Sequence, residues 1–477
     1  MKTPILGSAY VARSVNAADN RMVNLYPEIV PEGGKEAAFL QRAPGLRLLA
    51  TVGTGPIRGL NSFNGNLYVV SGDSLYKVDA TYAVTLLGVV SGSSAPVSMA
   101  NNGTQLFVAC NGPSFVYNSS TLVFGAITDP DFPGALTVSY LDGYFVFIEP
   151  SSQRVWVTAL NDPTSIDPLD FASAEGDPDG LISSIVDHSQ VWLFGTSSVE
   201  VWYNSGNADF PLQRIEGAFN EIGCAATFSV AKLDNSLYWL GQDARGQGII
   251  YRANGYTGQR ISTHAVEWQI QQYADMSDAV AYTYQQDGHS FYVLNFPSAN
   301  ATWVYDVSTQ AWHERAGWIN GQFVRHRGNC QTFFNQTITV GDYQNGNIYA
   351  FDMEVYADYD RVQKWLRTWR ALPTGQNNLK RTVQHTLQLD CETGVGLVSG
   401  QGSDPQVMLR WSDDAGHTWS NEHWSGMGAI GQYGRRVFWR RLGMTTKLRD
   451  RVYEASGTDP VKVTIVGAEL LLNGTNA

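Results

Sequence analysis

A pair of apolar-aromatic strands separated by a short turn recurs seven times between Arg47 and Met353. The first members of the pairs include Asn66-Leu67-Tyr68-Val69-Val70, Gln105-Leu106-Phe107-Val108-Ala109 and Tyr144-Phe145-Val146-Phe147. Val191-Trp192-Leu193-Phe194, Leu237-Tyr238-Trp239-Leu240, Phe291-Tyr292-Val293-Leu294 and the weaker Thr337-Ile338-Thr339-Val340 follow. With Leu67, Leu106, Phe145, Trp192, Leu237, Phe291 and Ile338 as markers, the gaps are 39, 39, 47, 45, 54 and 47 residues. A four-stranded propeller blade takes about 40–50 residues. The spacing therefore predicts an all-β chain dominated by a β-propeller of six or seven blades. Asn64-Gly65, Asn102-Gly103, Asp142-Gly143 and Asp287-Gly288 precede several of the strands, and such dipeptides favour tight hairpin turns. A pair of β-sandwiches is the rival fold, which the near-even repeat disfavours.

Composition agrees with short strands and many turns. Charged residues are 16% of the 477, against roughly 25% in an ordinary domain, while aromatics reach 12% and glycines number 47. The net charge of −12 argues against a chain that holds nucleic acid by bulk electrostatics. That charge is uneven: residues 361–477 carry +5 and residues 1–360 carry −17. Arginine outnumbers lysine 24 to 8, a bias suited to interfaces. Cys110, Cys224, Cys330 and Cys391 have neither metal spacing nor the look of a disulfide framework. The N-terminus makes a poor signal peptide, because Pro4 and Gly7 break its short apolar run. No segment has the apolar length of a membrane span.

Past the repeats, residues 354–384 interleave Arg361, Lys364, Arg367 and Arg370 with Trp365, Leu366 and Trp369. Val362, Trp365, Leu366 and Trp369 fit helical spacing, and alternation also fits part of the stretch, so helix and strand both stay open. From Thr386 the pattern is strands again. Ser412-Asp413-Asp414-Ala415-Gly416-His417-Thr418-Trp419 reads S-x-D-x-G-x-T-W, the pattern called an Asp-box, and predicts a hairpin turn. Asp414 would accept bonds from the turn's own amides, Gly416 would supply positive φ, and Trp419 would pin the turn to the sheet. Ser412 and Thr418 complete this structural motif. A basic run, Arg435-Arg436-Val437-Phe438-Trp439-Arg440-Arg441, follows. Its guanidiniums suit stacking on rings or clamping carboxylates of a neighbouring subunit.

Several pieces, in order and spacing, carry a family resemblance: Val407-Met408-Leu409-Arg410-Trp411, Trp419-Ser420-Asn421-Glu422-His423-Trp424, Ile430-Gly431-Gln432-Tyr433, Trp439-Arg440-Arg441-Leu442-Gly443, Arg449-Asp450-Arg451-Val452-Tyr453-Glu454 and Asp459-Pro460-Val461-Lys462. Near the start, Asn24-Leu25-Tyr26-Pro27-Glu28 and Pro44-Gly45-Leu46 add to it. Together they resemble the packaged-DNA stabilization proteins of short-tailed bacteriophages, also called tail nozzle or tail accessory proteins. The resemblance covers about the first 50 and last 90 residues specifically, and the middle by repeat pattern only.

The resemblance implies a structural, non-enzymatic virion protein. It would form a ring, expected to be a homohexamer, below the portal and adaptor of a phage tail. There it would retain packaged DNA, extend the exit channel and anchor fibre, spike or tail-needle proteins. Double-stranded DNA would pass without sequence-specific binding. Assembly is expected in the bacterial cytoplasm, without membrane insertion. The expected organisation is an N-terminal arm (1–46) packing with the C-terminal domain, a propeller (47–353), a basic aromatic connector (354–384) and a smaller C-terminal β-sandwich or platform (385–477). Arg367, Arg370, Arg435, Arg436, Trp439, Arg440, Arg441, Arg449 and Arg451 are the candidate assembly interface.

Two other classes make distinct demands on the sequence. A carbohydrate-binding propeller of the tail would show exposed Trp and Tyr at blade loops. A glycoside hydrolase would need two carboxylates at a cleft. Only one Asp-box is present, and no catalytic residue can be assigned. Glu175-Gly176-Asp177-Pro178-Asp179-Gly180 faintly resembles a calcium loop, but Val186 stands where the last ligand should be, and an acidic turn is the better reading. No metal or cofactor is expected.

Overall fold

A computed structural model describes residues 1–475 apart from 16, 175, 178, 244–245, 372–379 and 447–450. Strands dominate it, and the seven recurring pairs are the middle strands of seven blades. Every marker lies in a second strand: Asn66–Ser71, Gln105–Ala109, Tyr144–Ile148, Gln190–Gly195, Ser236–Asp243, His289–Phe296 and Thr337–Asp342. These strands are covered on both faces by neighbouring blades, so they read as apolar runs instead of alternating.

The first strands ring the axis: Ile57–Phe63, Ser98–Asn101, Val138–Leu141, Leu181–Asp187, Ala231–Leu233, Val280–Gln286 and Gly328–Phe334. Blade 7 takes its outer strand from the far end of the chain. Gly45–Thr51 pairs antiparallel with Asn347–Asp352, closing the ring and leaving no gap between first and last blades.

The turns between first and second strands explain the register. Asn64-Gly65, Asp142-Gly143 and Asp287-Gly288 each hold two successive positive φ values, the geometry whose twist matches a hairpin. His188-Ser189, Asp234-Asn235 and Asn335-Gln336 adopt the same conformation without glycine. Asn102 does not: its side chain accepts from the amides of Thr104 and Gln105, and only Gly103 is left-handed.

The second unit is a sandwich made from both ends of the chain. One sheet runs in the order Val437–Met444, Thr382–Cys391, Thr464–Gly474, Ala38–Arg42, Leu25–Ile29, with Lys2–Thr3 also paired to Thr464–Gly474. The other runs Trp365–Arg370, Val452–Gly457, Gln406–Ser412, His423–Gly426. Met22–Val23 joins this second sheet to blade 6, pairing with Trp365–Arg370 on one side and with Glu314 on the other. The open choice at 362–369 resolves as strand. All six residues of Trp365–Arg370 are buried, and the stretch is a sheet member of the sandwich where a connector was expected. Two-sided burial produced the aromatic density that also fitted helical spacing.

Ile5, Met22, Leu25 and Leu40 share the sandwich core with Trp365, Trp369, Trp439 and Tyr453. A buried Trp removes roughly 200 Å² from water, ~5 kcal/mol of gross burial energy before entropy. Arg42 ties the two units. It is buried, and its guanidinium donates to the Asp459, Val461, Tyr356 and Gln363 carbonyls and to Gln363 Oε1. Every acceptor is neutral, and burial pushes the Arg42 pKa down to about 10.

Candidate assembly surface

The sequence grouped nine residues around the basic run, and the structure divides them by depth. Arg367 is buried, with Nε donating to the Ile5 carbonyl at 2.7 Å and Nη1 to Asn20 O at 3.4 Å. Arg370 is buried and donates to Val15 O. Arg451 grips Asp413 through two bonds of 2.6 and 2.7 Å and donates to Leu442 O. Trp439 packs in the sandwich core, with Nε1 donating to His423 O at 2.8 Å. These four are internal struts and present no surface. Arg449 lies outside the described residues.

Arg435, Arg436, Arg440 and Arg441 are exposed. They belong to or flank Val437–Met444, an edge strand paired on one side only. Strict alternation would turn Arg441 inward. A bulge prevents this: Arg440 opposes Thr386, Gly443 opposes Gln384, and Arg441 takes φ +60°. The extra residue lets Trp439 and Leu442 both enter the core while two consecutive arginines face water. Among the described residues, none of the four guanidiniums has a carboxylate within 4 Å, whereas Arg410, Arg451 and Lys462 of the same unit are all paired.

Aromatic faces lie between these charges. Arg440 stacks over Phe438 at 4.6 Å, and Arg436 reaches the same ring at 5.9 Å. Trp424, Ile430 and Tyr433 are exposed nearby. Two shallow hollows of about 580 and 400 Å³ share Arg436 and Phe438 as a common wall. The sequence quoted Trp424 and Tyr433 without assigning them to a surface. Trp424 lies on His423–Gly426, the edge strand of its sheet, and Tyr433 in the segment that follows it.

The octet forms a self-bonded turn. Ser412 Oγ donates to Asp414 Oδ1 at 2.7 Å and accepts from the Gly416 amide at 2.8 Å. Thr418 gives Asp414 its amide and its hydroxyl, at 2.8 and 2.6 Å. The Thr418 hydroxyl and amide, with Ser412, hold the Asp414 carboxyl well below its usual range. Gly416 has φ +93°. The Trp419 ring lies 4.8 Å from the Arg410 guanidinium, which itself forks onto Glu454. Asp413 and Asp414 are thus both committed to holding the turn.

Elsewhere, the first strands of the blades enclose an axial cavity of about 560 Å³. Asn61, Asn101, Tyr140, Lys232 and Gln331 line it, and Asn101 donates to Asn61 across a blade boundary. In the acidic turn, Glu175 and Pro178 lie outside the described residues. Asp179 accepts from the Ser197 and Ser198 amides, capping a neighbouring turn. Among the described residues no group of three His, Cys, Asp or Glu is arranged to hold a metal.

The two structural units correspond to two family models. One described as Bacteriophage P22 Gp10, beta-propeller, matches residues 1–356, and one described as Bacteriophage P22 Gp10, beta-sandwich, matches residues 364–472. No curated protein matches the chain. Solved structures with some likeness include a streptogramin B lyase, 11% identical over 69% of this chain and 98% of that one, with a TM-score of 0.42. The N-terminal domain of Nup159 is 10% identical over 68% and 97%, with a TM-score of 0.40. The extracellular domain of a putative hybrid two-component system from B. thetaiotaomicron is 11% identical over 86% and 58%, with a TM-score of 0.45. Likeness at this level carries no argument about function.

Proposed function

Because the chain belongs to the Bacteriophage P22 Gp10 family of short-tailed-phage tail proteins, we propose that it is a ring-forming nozzle subunit below the portal and adaptor. In that place it retains packaged DNA, extends the exit channel and offers attachment to other tail parts. The role is structural, and the ring is a homohexamer.

The observation that carries this reading is the pairing of a closed propeller with a sandwich whose edge bears four arginines, unneutralised among the described residues, beside aromatic rings. Arginine and aromatic side chains are the residues enriched where protein surfaces meet. The propeller supplies stiffness, since ring closure by Gly45–Thr51 leaves no end blade free to peel. Its own axis is not the DNA path: a cavity of about 560 Å³ is too small for a duplex whose major groove alone is ~12 Å wide. DNA would run through the lumen of the assembled ring, and the acidic balance of the propeller would discourage adhesion.

Antibody labelling of intact particles, viewed by electron microscopy, tests the proposal. The expected label lies on the tail axis between head and tip. Label on peripheral fibres or spikes would favour a host-glycan-binding component. Unlabelled particles beside abundant protein in the lysate would sink the structural role.

A further inference from the structure

We infer that the arginine-aromatic edge of the sandwich docks on the acidic flank formed by blades 3 and 4 of a second copy of this chain. This rests on the ring-forming role proposed above and names the two surfaces that would meet.

The propeller keeps most of its negative charge in one segment. Residues 129–231, which build blades 3 and 4, contain 15 Asp and Glu but only two cations, Arg154 and Arg214. This segment alone is −13, most of the −17 carried by residues 1–360. Both arginines already face carboxylates of their own blades: Arg154 is 3.9 Å from Glu149, and Arg214 is 3.8 Å from Glu200. Asp131, Asp162, Asp167, Asp209, Glu216 and Glu221 remain exposed. Among the described residues none of these six has a cation within ion-pairing distance.

Topology then places the two charged regions at opposite ends of the molecule. The sandwich is attached at the seam between blades 6 and 7, through Val23 beside Glu314 and Asp358 beside Leu46. In a ring of seven, the blade farthest from that seam is blade 3, with three blades on each side between it and the seam. A protomer thus carries an unneutralised basic edge at one end and an unneutralised acidic flank at the other. A contact between two different patches of identical copies is heterologous, the type that propagates into rings. Charge complementarity of this kind orients encounter and fixes register.

Phosphate would satisfy the same guanidiniums. The chain favours carboxylates for two reasons. The edge sets Arg436 and Arg440 around Phe438, with Trp424 on an adjoining strand, and contains no lysine, a composition of protein interfaces. The remainder of the molecule also repels polyanions, since 1–360 is strongly acidic.

Charge-swap complementation of the full chain tests the contact. Arg436→Glu/Arg440→Glu inverts two of the edge's four charges. Glu216→Arg/Glu221→Arg inverts two of the flank's six exposed charges, at residues that accept no hydrogen bond among the described residues. Self-association is followed by sedimentation equilibrium at low salt, with thermal melts confirming that both variants stay folded. Each variant alone is expected to self-associate about tenfold or more weakly than wild type, because attraction is lost and like charges meet at the substituted positions. An equimolar mixture is expected to recover wild-type association, since every contact again pairs opposite signs. Recovery should fade as salt shortens the screening length, which is about 10 Å at 0.1 M.

A wild-type chain that stays monomeric throughout, a variant that associates normally, or a mixture without rescue would each overturn the inference. Loss of duplex-DNA binding in the edge variant, with self-association intact, would reassign the edge to phosphates. Failure of the tail role itself is read separately, by absence of label on particles.

Discussion

The propeller and the sandwich reach a buried β-core by opposite routes. Six of the seven blades are built from contiguous residues, and their registers are set by two-residue turns such as Asn64-Gly65 and Asp287-Gly288. The sandwich is assembled from segments hundreds of residues apart. Lys2–Thr3 pairs with Ala468 and Glu469, and Trp369 Nε1 donates to Thr3 Oγ1. Local units carry their instructions in their own sequence, whereas the sandwich needs both chain ends present and the propeller closed between them. Its polar ties differ accordingly. Both units use buried arginines, but Arg58 in the propeller reaches carbonyls within 40 residues, whereas Arg42 and Arg367 at the sandwich reach acceptors more than 300 residues away.

The sharpest way to break this contrast is at Arg42. Arg42→Met takes the buried donor from the Val461, Tyr356 and Gln363 carbonyls, which come from two distant segments, while Asp459 O keeps the Val461 amide. The expected loss is ~3–5 kcal/mol, falling on the sandwich and the propeller closure together. Urea unfolding followed by tryptophan fluorescence should show both units lost in one earlier transition. Arg42→Lys should rescue little, because an ammonium has three donors and no planar fork.

Acid should also act at the seam. His313 and His326 are buried beside blades 6 and 7. Burial and the nearby Arg315 push the His313 pKa well down and bring His326 to about 3. A histidine depressed in the folded state is protonated first in the unfolded chain. Its stabilising contribution is therefore complete above pH ~6.5 and is lost as pH falls below that value. Between pH 6.5 and 5 His326, at about 3 in the fold, should cost ~1.5 kcal/mol, and His313 acts in the same direction. Asp358 opposes this. Burial raises it to about 6, so its protonated form is preferred in the fold, and it recovers some stability over the same window. Melting temperatures from pH 7 to 5 should fall in wild type, fall less in His313→Phe and fall more in Asp358→Asn.

A blade turn should yield a smaller and more local effect. Gly65 sits at φ +70° with open space around the missing Cβ, so Gly65→Ala meets only the left-handed backbone penalty. The expected loss is ~1 kcal/mol. Hydrogen exchange should localise it to blade 1 and leave the sandwich amides unchanged.

The smallest effect separates two arginines that look alike in sequence. Arg440→Ala should change monomer stability by no more than about 0.5 kcal/mol, because the side chain is exposed and unpaired. Arg451→Ala should cost several-fold more, since it strands Asp413 and the Leu442 carbonyl. Chemical denaturation of the two variants side by side checks the difference.

Where a feature repeats locally, the amino-acid sequence by itself determined it. The period of the apolar pairs placed the second strand of every blade, and Asn-Gly and Asp-Gly marked three of the tight turns. His188-Ser189 and Asn335-Gln336 form the same turn with residues that carry no such signal, because blade packing imposes the left-handed backbone on them. The number of blades became definite only with closure, since the seventh outer strand comes from Gly45–Thr51, before the repeats begin. The aromatic density of 362–369 fitted helix as well as strand until pairing with Met22–Val23 and Val452–Gly457 decided it.

The basic cluster shows the same boundary. Sequence found arginines alternating with aromatics, but depth is not a property of a residue's neighbours in the chain. A single bulge at Arg441 turns Arg440 and Arg441 outward, and long-range acceptors draw Arg367 and Arg451 inward. Short-range periodicity is written in adjacent residues, whereas burial of a charge depends on partners that only the folded chain brings within hydrogen-bonding distance.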